Sequence, residues 1–272
     1  MKEMAIITKI TTQQKNQDRY NIFMDYGKGE EFAFSVDQDV LIKFQLKKGM
    51  ELDDFSFLEI QFQDDIRKAY NLAIHYLAKR MRSEKEIKDY LQQKEMEDPI
   101  IHEVLHKLIA QKYINDHDYA FSYVRTQVNT TDKGPDLIRM ELKEKGIGEE
   151  LLKLSLSEYP FDNQVEKATI LAKKFFERNS KDSKRILQQK LEGMLLRKGY
   201  SYDIINIALV EADEHKDVNE EMEAIRYQGE KIQRKYRQFS GYEFEMKVKQ
   251  ALYRKGFSIE VIDKYLEEIE KS

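Results

Sequence analysis

Cysteine is absent from this chain, which excludes disulfides, thiolate zinc sites and a thiol nucleophile. Proline and glycine are scarce, 3 and 11 residues in 272, so the chain has few built-in breaks and favours long amphipathic helices with solvated faces. No apolar run approaches the roughly eighteen residues of a membrane span, and Met1 to Thr8 lacks the uninterrupted apolar stretch of a secretion signal. Neither G-x-x-x-x-G-K-[ST], G-x-G-x-x-G nor G-x-S-x-G occurs, leaving nucleotide hydrolysis and serine hydrolase chemistry without support. A general excess of positive charge is also missing: the net charge is −4 and the pI near 5.9. That argues against coating nucleic acid by global charge and leaves only local basic faces for the purpose. A cytoplasmic, monomeric protein with no cofactor is expected.

What is present is a repeat. Leu91-Gln92-Gln93-Lys94-Glu95-Met96, Leu142-Lys143-Glu144-Lys145-Gly146-Ile147, Leu195-Leu196-Arg197-Lys198-Gly199-Tyr200 and Leu252-Tyr253-Arg254-Lys255-Gly256-Phe257 share a leucine, a lysine three residues on and, in three cases, a glycine followed by an apolar residue. The leading leucines are 51, 53 and 57 residues apart, and a second leucine follows fourteen residues later in each copy, at Leu105, Leu156, Leu209 and Leu266. Self-similarity at this period means stacked supersecondary units rather than one catalytic core. Each copy has a further helix before the repeated one: Ala69 to Arg80, Tyr119 to about Val128, Val165 to Arg178, and Glu223 to Tyr236. The predicted architecture is mainly α, tandem three-helix repeats in a curved elongated array, after a small N-terminal β-rich domain. Its boundaries fall at 1–64, 65–114, 115–160, 161–212 and 213–272.

The head reads as an antiparallel meander plus one helix. Ile6 to Ile10, Tyr20 to Met24 and Phe32 to Val36 are β-branched and aromatic, Gly27-Lys28-Gly29 suits a hairpin loop, and Asp37 or Asp39 can cap a short helix through Val40 to Phe44. From about Asp64 the pattern is helical. Ser83 and Glu86 form a capping box, Gly134-Pro135 suits N-cap and N1, Ser183 suits an N-cap, and Ser240 with Glu243 predicts a second box. Gly146, Gly199 and Gly256 are placed for a left-handed residue just past the helix end, and the next apolar residue folds back on the helix in a Schellman motif. Lys145, Lys198 and Lys255 then complement the helix dipole without any ligand. Glu95 stands where the other copies have glycine.

Two constellations could carry chemistry. His102-Glu103-Val104-Leu105-His106 matches H-E-x-x-H, in which histidines one turn apart bind zinc and the glutamate acts as general base. Against a zinc metallopeptidase stand Asp98-Pro99, read as N-cap and N1 just upstream, and Lys107 straight after the motif. In the superposed copies His102 aligns with Lys153, Asn206 and Asp263, so the position belongs to a polar face. No third ligand can be singled out, and His75, His117 and His215 are isolated. The second constellation is basic. Residues 164 to 200 carry ten cations against four anions and residues 231 to 257 eight against two, with an acidic stretch from Glu211 to Glu223 between them. Lys173, Lys174, Arg178, Lys181, Lys184, Arg185, Lys231, Arg234, Lys235 and Arg237 are the candidate contacts to phosphate or to an acidic protein surface. The plain alternative is solvated helix faces, with Phe175, Phe176, Tyr236 and Phe239 in the core.

Lys79-Arg80-Met81-Arg82-Ser83-Glu84-Lys85-Glu86-Ile87, Leu108 to Ala120, and Gly134-Pro135 with Ile138, Glu141-Leu142 and Lys145-Gly146-Ile147 together resemble the RecX family, bacterial regulators of the RecA recombinase. The resemblance covers about residues 65 to 160 closely and the other copies more loosely. Lys112 and Asn115 depart from it, where the family often has glycine and aspartate. The head and extra copies look like the long Gram-positive members. The resemblance implies a non-enzymatic protein that binds the RecA–DNA filament, with single- or double-stranded DNA as a further contact, and restrains ATP hydrolysis and strand exchange. A free-standing DNA-binding adaptor and the zinc peptidase are the competing readings.

Overall fold

The computed structural model describes residues 5–213 and 218–270, and the chain divides into two compact units between Tyr119 and Ala120. In the first unit, strands β1 (Ala5–Thr12), β2 (Arg19–Asp25) and β3 (Glu30–Asp37) form an antiparallel meander. A two-residue strand that the sequence does not announce, β4 (Glu51–Leu52), joins β1 to give the order β3-β2-β1-β4. Alternation along the strands buries Ile7, Ile22, Met24, Phe34 and Val36 on one face. The hairpin between β2 and β3 closes as Asp25 Oδ1 accepts from the Gly27 and Gly29 amides at 2.7 and 2.9 Å. Asp37 caps α1 (Gln38–Lys43), accepting from the Asp39 amide at 3.1 Å.

Helix α2 (Asp54–Leu77) starts ten residues before the expected Asp64. Phe55, Phe57, Leu58 and Ile60 look strand-like in isolation, but Asp53 takes the Ser56 amide at 2.8 Å and starts the helix. One long helix therefore serves two cores. Its first half lays Phe57 and Ile60 against the sheet and its second half lays Ile66, Ala69 and Ala73 against α3 (Glu84–Gln93) and α4 (Asp98–Ala110). Between the halves, the Asp64 carboxylate, 2% exposed, accepts from the Asp37 amide at 2.7 Å, from Arg19 Nη2 at 2.8 Å and from Lys68 Nζ at 3.0 Å. A buried charge held by donors from three residues keeps its desolvation compensated.

The remaining helices are α5 (Asp116–Thr130), α6 (Pro135–Glu144), α7 (Glu149–Leu156), α8 (Phe161–Arg178), α9 (Lys184–Lys198), α10 (Tyr202–Asp213), α11 (Val218–Tyr236), α12 (Gly241–Arg254) and α13 (Ile259–Glu270). Three-helix copies follow the small β head, as the repeat predicts. The recurring leucine has two tasks. Leu91, Leu142, Leu195 and Leu252 are all 0% exposed, and each carbonyl accepts from the amide five residues on, at 3.2, 3.1, 3.1 and 3.4 Å. Those are the Schellman bonds from Met96, Ile147, Tyr200 and Phe257. The Ser83–Glu86 box, the Gly134 and Ser183 N-caps and Pro135 in the first turn also form.

Two caps differ from expectation. Ser240 makes no side-chain cap bond, because Gly241 turns left-handed at φ 54° and takes the hydroxyl out of line with the helix amides, so the Ser240–Glu243 box is not formed. Glu97, rather than Asp98, is the N-cap of α4 and also makes no side-chain cap bond, so Pro99 falls one residue further into the first turn, where its missing N–H still costs nothing.

Within residues 120–272 the copies meet at their turns. The Gly134 amide donates to Lys198 O at 2.7 Å and the Asp136 amide to Gly199 O at 3.0 Å. A Cβ on Gly199 would lie 2.4 Å from Leu137 N, and one on Gly134 2.4 Å from Gly199 O. At the next junction the Ser183 hydroxyl donates to Lys255 O at 2.6 Å, and a Cβ on Gly256 would lie 2.6 Å from that hydroxyl. The N-cap of one copy's middle helix thus rests on the glycine turn of the next. Glu95, at φ 60° and exposed, occupies the first copy's turn with its side chain in solvent.

Gly199→Ala combines left-handed strain with a backbone clash and is expected to cost about 3 kcal/mol, whereas Glu95→Gly should change stability by no more than ~1 kcal/mol; hydrogen exchange of the amides in each unit measures both. Asp64→Ala leaves the Asp37 amide without its acceptor and Arg19 without its buried counter-ion, with the Ser35 carbonyl as its remaining acceptor, and is expected to destabilise the head by about 3 kcal/mol, read as faster exchange in β3 and the middle of α2.

Candidate functional site

Lys174 and Arg178 lie one turn apart on α8, and Lys181 follows in the loop before α9. On α11, Tyr227, Lys231 and Arg234 occupy one face at i, i+4 and i+7. The two runs, fifty residues apart in sequence from Lys181 to Lys231, converge on Tyr227. Lys181 Nζ stands 4.6 Å and Lys231 Nζ 4.0 Å from the centre of its ring, and Lys231 also donates to the phenol oxygen at 2.9 Å. The Lys181 backbone is fixed in turn by Gln228, 8% exposed, whose Nε2 donates to Lys181 O at 2.8 Å. Two ammonium groups sharing one exposed ring make a locally cationic surface that can receive an anion. The hydrogen bond from Lys231, joined by the fields of Lys181 and Lys231, holds the Tyr227 phenol below its ordinary value.

The other basic candidates are placed less uniformly. Arg185 stacks over Tyr253 of α12 at 6.0 Å, beside the Ser183–Gly256 junction. Lys184 is exposed at the start of α9. Arg234 pairs with Glu230 at 3.6 Å, Lys235 lies 5.5 Å over Tyr236, and Arg237 borders a cleft of about 430 Å³ with Arg234 and Phe239. Lys173 differs from the rest: it is half-buried and lines a cleft to which Glu177, Glu220 and Glu223 also contribute. Of the interleaved aromatics, Phe176 is core while Phe175, Tyr236 and Phe239 are half-buried against it or at its edge. Sequence reasoning missed Tyr227 and Tyr253. The one signal for Tyr227 was its place four residues before Lys231.

The H-E-x-x-H motif falls on the outer face of α4, where His102, Glu103 and His106 are all exposed while Ile101, Val104, Leu105 and Leu108 fill the core. Among the described residues no group of three or more His, Asp or Glu side chains is placed to hold a metal. His75 and His117 are exposed, the latter 3.5 Å from Asp118, and His215 and part of the acidic stretch around it lie outside the described residues. No helix among the described residues is long and apolar enough to cross a membrane.

Comparison with known proteins assigns the copies. Residues 5–53 match the regulatory protein RecX N-terminal domain, 69–108 the RecX first three-helix domain, 115–156 the second, and both 162–209 and 219–266 the third. The chain belongs to the RecX family. It is 48% identical to the regulatory protein RecX of Bacillus velezensis over 98% of this chain and 100% of that one, and 45% identical to that of Bacillus subtilis over the same shares. A crystal structure of regulatory protein RecX superposes with a TM-score of 0.65 at 38% identity, covering 75% of this chain and 98% of that one. RecX from Lactobacillus salivarius gives 0.53 at 44% identity over 56% and 99%. Two copies of the third domain explain why the basic runs repeat: they sit in sister domains. Within the RecX frame, the Tyr227 cluster is a junction between those sisters.

Tyr227 should ionise ahead of the buried phenols, since burial pushes Tyr119 up to about 12 and raises Tyr159 and Tyr200 as well. In a spectrophotometric alkaline titration, Lys231→Met is expected to remove the earliest phenolate component and leave the later ones in place.

Proposed function

We propose that the chain is a non-enzymatic, chiefly negative modulator of the RecA recombinase, which binds the RecA–DNA filament as a cytoplasmic monomer and restrains ATP hydrolysis and strand exchange. Membership of a family of regulatory proteins gives the class of role. The observation that carries the mode of action is the convergence of two cationic runs from sister domains on Tyr227. A polyanion lying across the junction would meet Lys174, Arg178 and Lys181 from one copy and Lys231, Arg234 and Lys235 from the next. Several weak contacts on one chain then sum to useful avidity. Lys173, half-buried in a cleft that three glutamates also line, contributes least.

The deciding experiment titrates the chain into RecA-catalysed ATP hydrolysis on single-stranded DNA and, separately, measures its affinity for bare DNA. Inhibition at concentrations below those needed to bind bare DNA supports the filament as target. Tight binding to bare DNA with unchanged hydrolysis would favour a free-standing DNA-binding adaptor instead. Reversing charge at Lys174, Arg178 and Lys231 is expected to weaken filament binding and to flatten its salt dependence by about 0.7 in log–log slope for each lost phosphate contact. The corresponding reversal at Lys173 should have the smaller effect.

A further inference from the structure

Helix α2 carries one continuous apolar face that is covered along half its length only. Ile66, Ala69 and Ala73 on its C-terminal half are buried against α3 and α4. The same face continues toward the N-terminus as Phe55, Leu58 and Phe62, which are 71%, 62% and 38% exposed. At about 100° per residue, these three fall within a strip some 60° wide, at i, i+3 and i+7. The helix's contact with the sheet is made elsewhere on its circumference, by Phe57, in edge-on contact with Phe34 at 5.1 Å, and by Ile60. Single exposed apolar side chains need no explanation, but three large ones aligned on one helix face and continuous with a buried interface mark a surface built to be covered.

The charge around the strip limits what covers it. Residues 54–66 contain Asp54, Glu59, Asp64 and Asp65 and no lysine or arginine, and Lys43 of α1 reaches them at Gln63, to which it donates at 2.8 Å. Glu59 borders one edge of the strip and Asp54 and Asp65 the other. Asp54 and Glu59 are exposed and take part in no ion pair among the described residues, while Asp65 is paired with Lys68 at 2.8 Å. Two copies of this face set together would oppose like charges across an apolar seam, which is unfavourable. A cationic rim on the occupant is complementary.

We infer that the N-terminal half of α2 is a docking face for an amphipathic helix of a partner protein, with apolar anchors at i, i+3 or i+4 and i+7 flanked by lysine or arginine. The face lies in the first unit, apart in sequence from the basic runs of α8 and α11, and its role does not depend on the filament reading. It gives the β head a use, since the head positions the first half of α2 and leaves this strip open.

The test uses the full chain and a panel of helical peptides presenting leucine or phenylalanine anchors at that spacing, one set flanked by Lys and Arg and a matched set flanked by Glu and Asp. Fluorescence anisotropy is expected to show the basic set binding about tenfold or more tighter than the acidic set. Leu58→Glu, an exposed substitution to a good helix former that leaves folding intact, should abolish that binding, with circular dichroism unchanged. Failure of every basic peptide to bind, equal binding of the two sets, or binding unaffected by Leu58→Glu overturns the inference. Sedimentation showing a dimer that Phe55→Ser dissolves would likewise overturn it, in favour of a second copy of the chain.

Discussion

The fold rests on the left-handed turn at the end of each middle helix, which is a glycine in three of the four copies. A left-handed residue is required there so that the following apolar side chain can return to the core while its amide bonds back to the leading leucine's carbonyl. Within residues 120–272 the turns at Gly199 and Gly256 are also the floor on which the preceding copy's N-cap stands, with the Leu137 backbone where a Cβ on Gly199 would be and the Ser183 hydroxyl where one on Gly256 would be. Two independent demands, backbone conformation and lack of bulk, therefore fall on one position. Glycine satisfies both. Glu95 shows the demands separating: its turn is left-handed, yet its side chain projects into solvent and glycine is not needed for space.

That junction governs where the charges go. Ser183 and Gly256 lock the start of α9 against the end of α12, and Gln228 holds the Lys181 carbonyl to α11. The loop between α8 and α9 is thereby set beside α11, and two lysines far apart in sequence share one tyrosine ring. Each cation–ring contact at such an exposed site contributes only about 0.5–1 kcal/mol. The grouping is better understood as a consequence of the copy-to-copy packing than as a cause of it.

The head follows a different logic. One carboxylate, Asp64, ties β3, β2 and α2 together by accepting from a strand amide and a strand arginine at once. Because α2 runs unbroken through this point, the sheet and the first three-helix copy share a helix. The uncovered strip at its start belongs to the same face that the copy buries further along.

Much of this was legible without coordinates. The repeat period, the β head, the capping box at Ser83, the Ser183 and Gly134 caps and the three glycine turns depend on interactions between near neighbours in the chain, so residue type and spacing were enough to determine them. The resemblance of residues 65 to 160 to the RecX family was likewise written in local motifs. What sequence missed was decided at longer range. The start of α2 was hidden because its aromatic residues satisfy a strand pattern until Asp53 caps it. The Ser240 box failed because the neighbouring glycine turned left-handed. The outward face of His102 and His106 depended on which side of α4 met the core. Above all, ten candidate cations looked equivalent in sequence, and only the packing of sister domains brought Lys181 and Lys231 onto Tyr227 while setting Lys173 in a cleft that Glu177, Glu220 and Glu223 also line. Local chemistry selects helices, strands and turns; which charged groups become neighbours depends on contacts between residues distant in the chain, and only the folded structure specifies those.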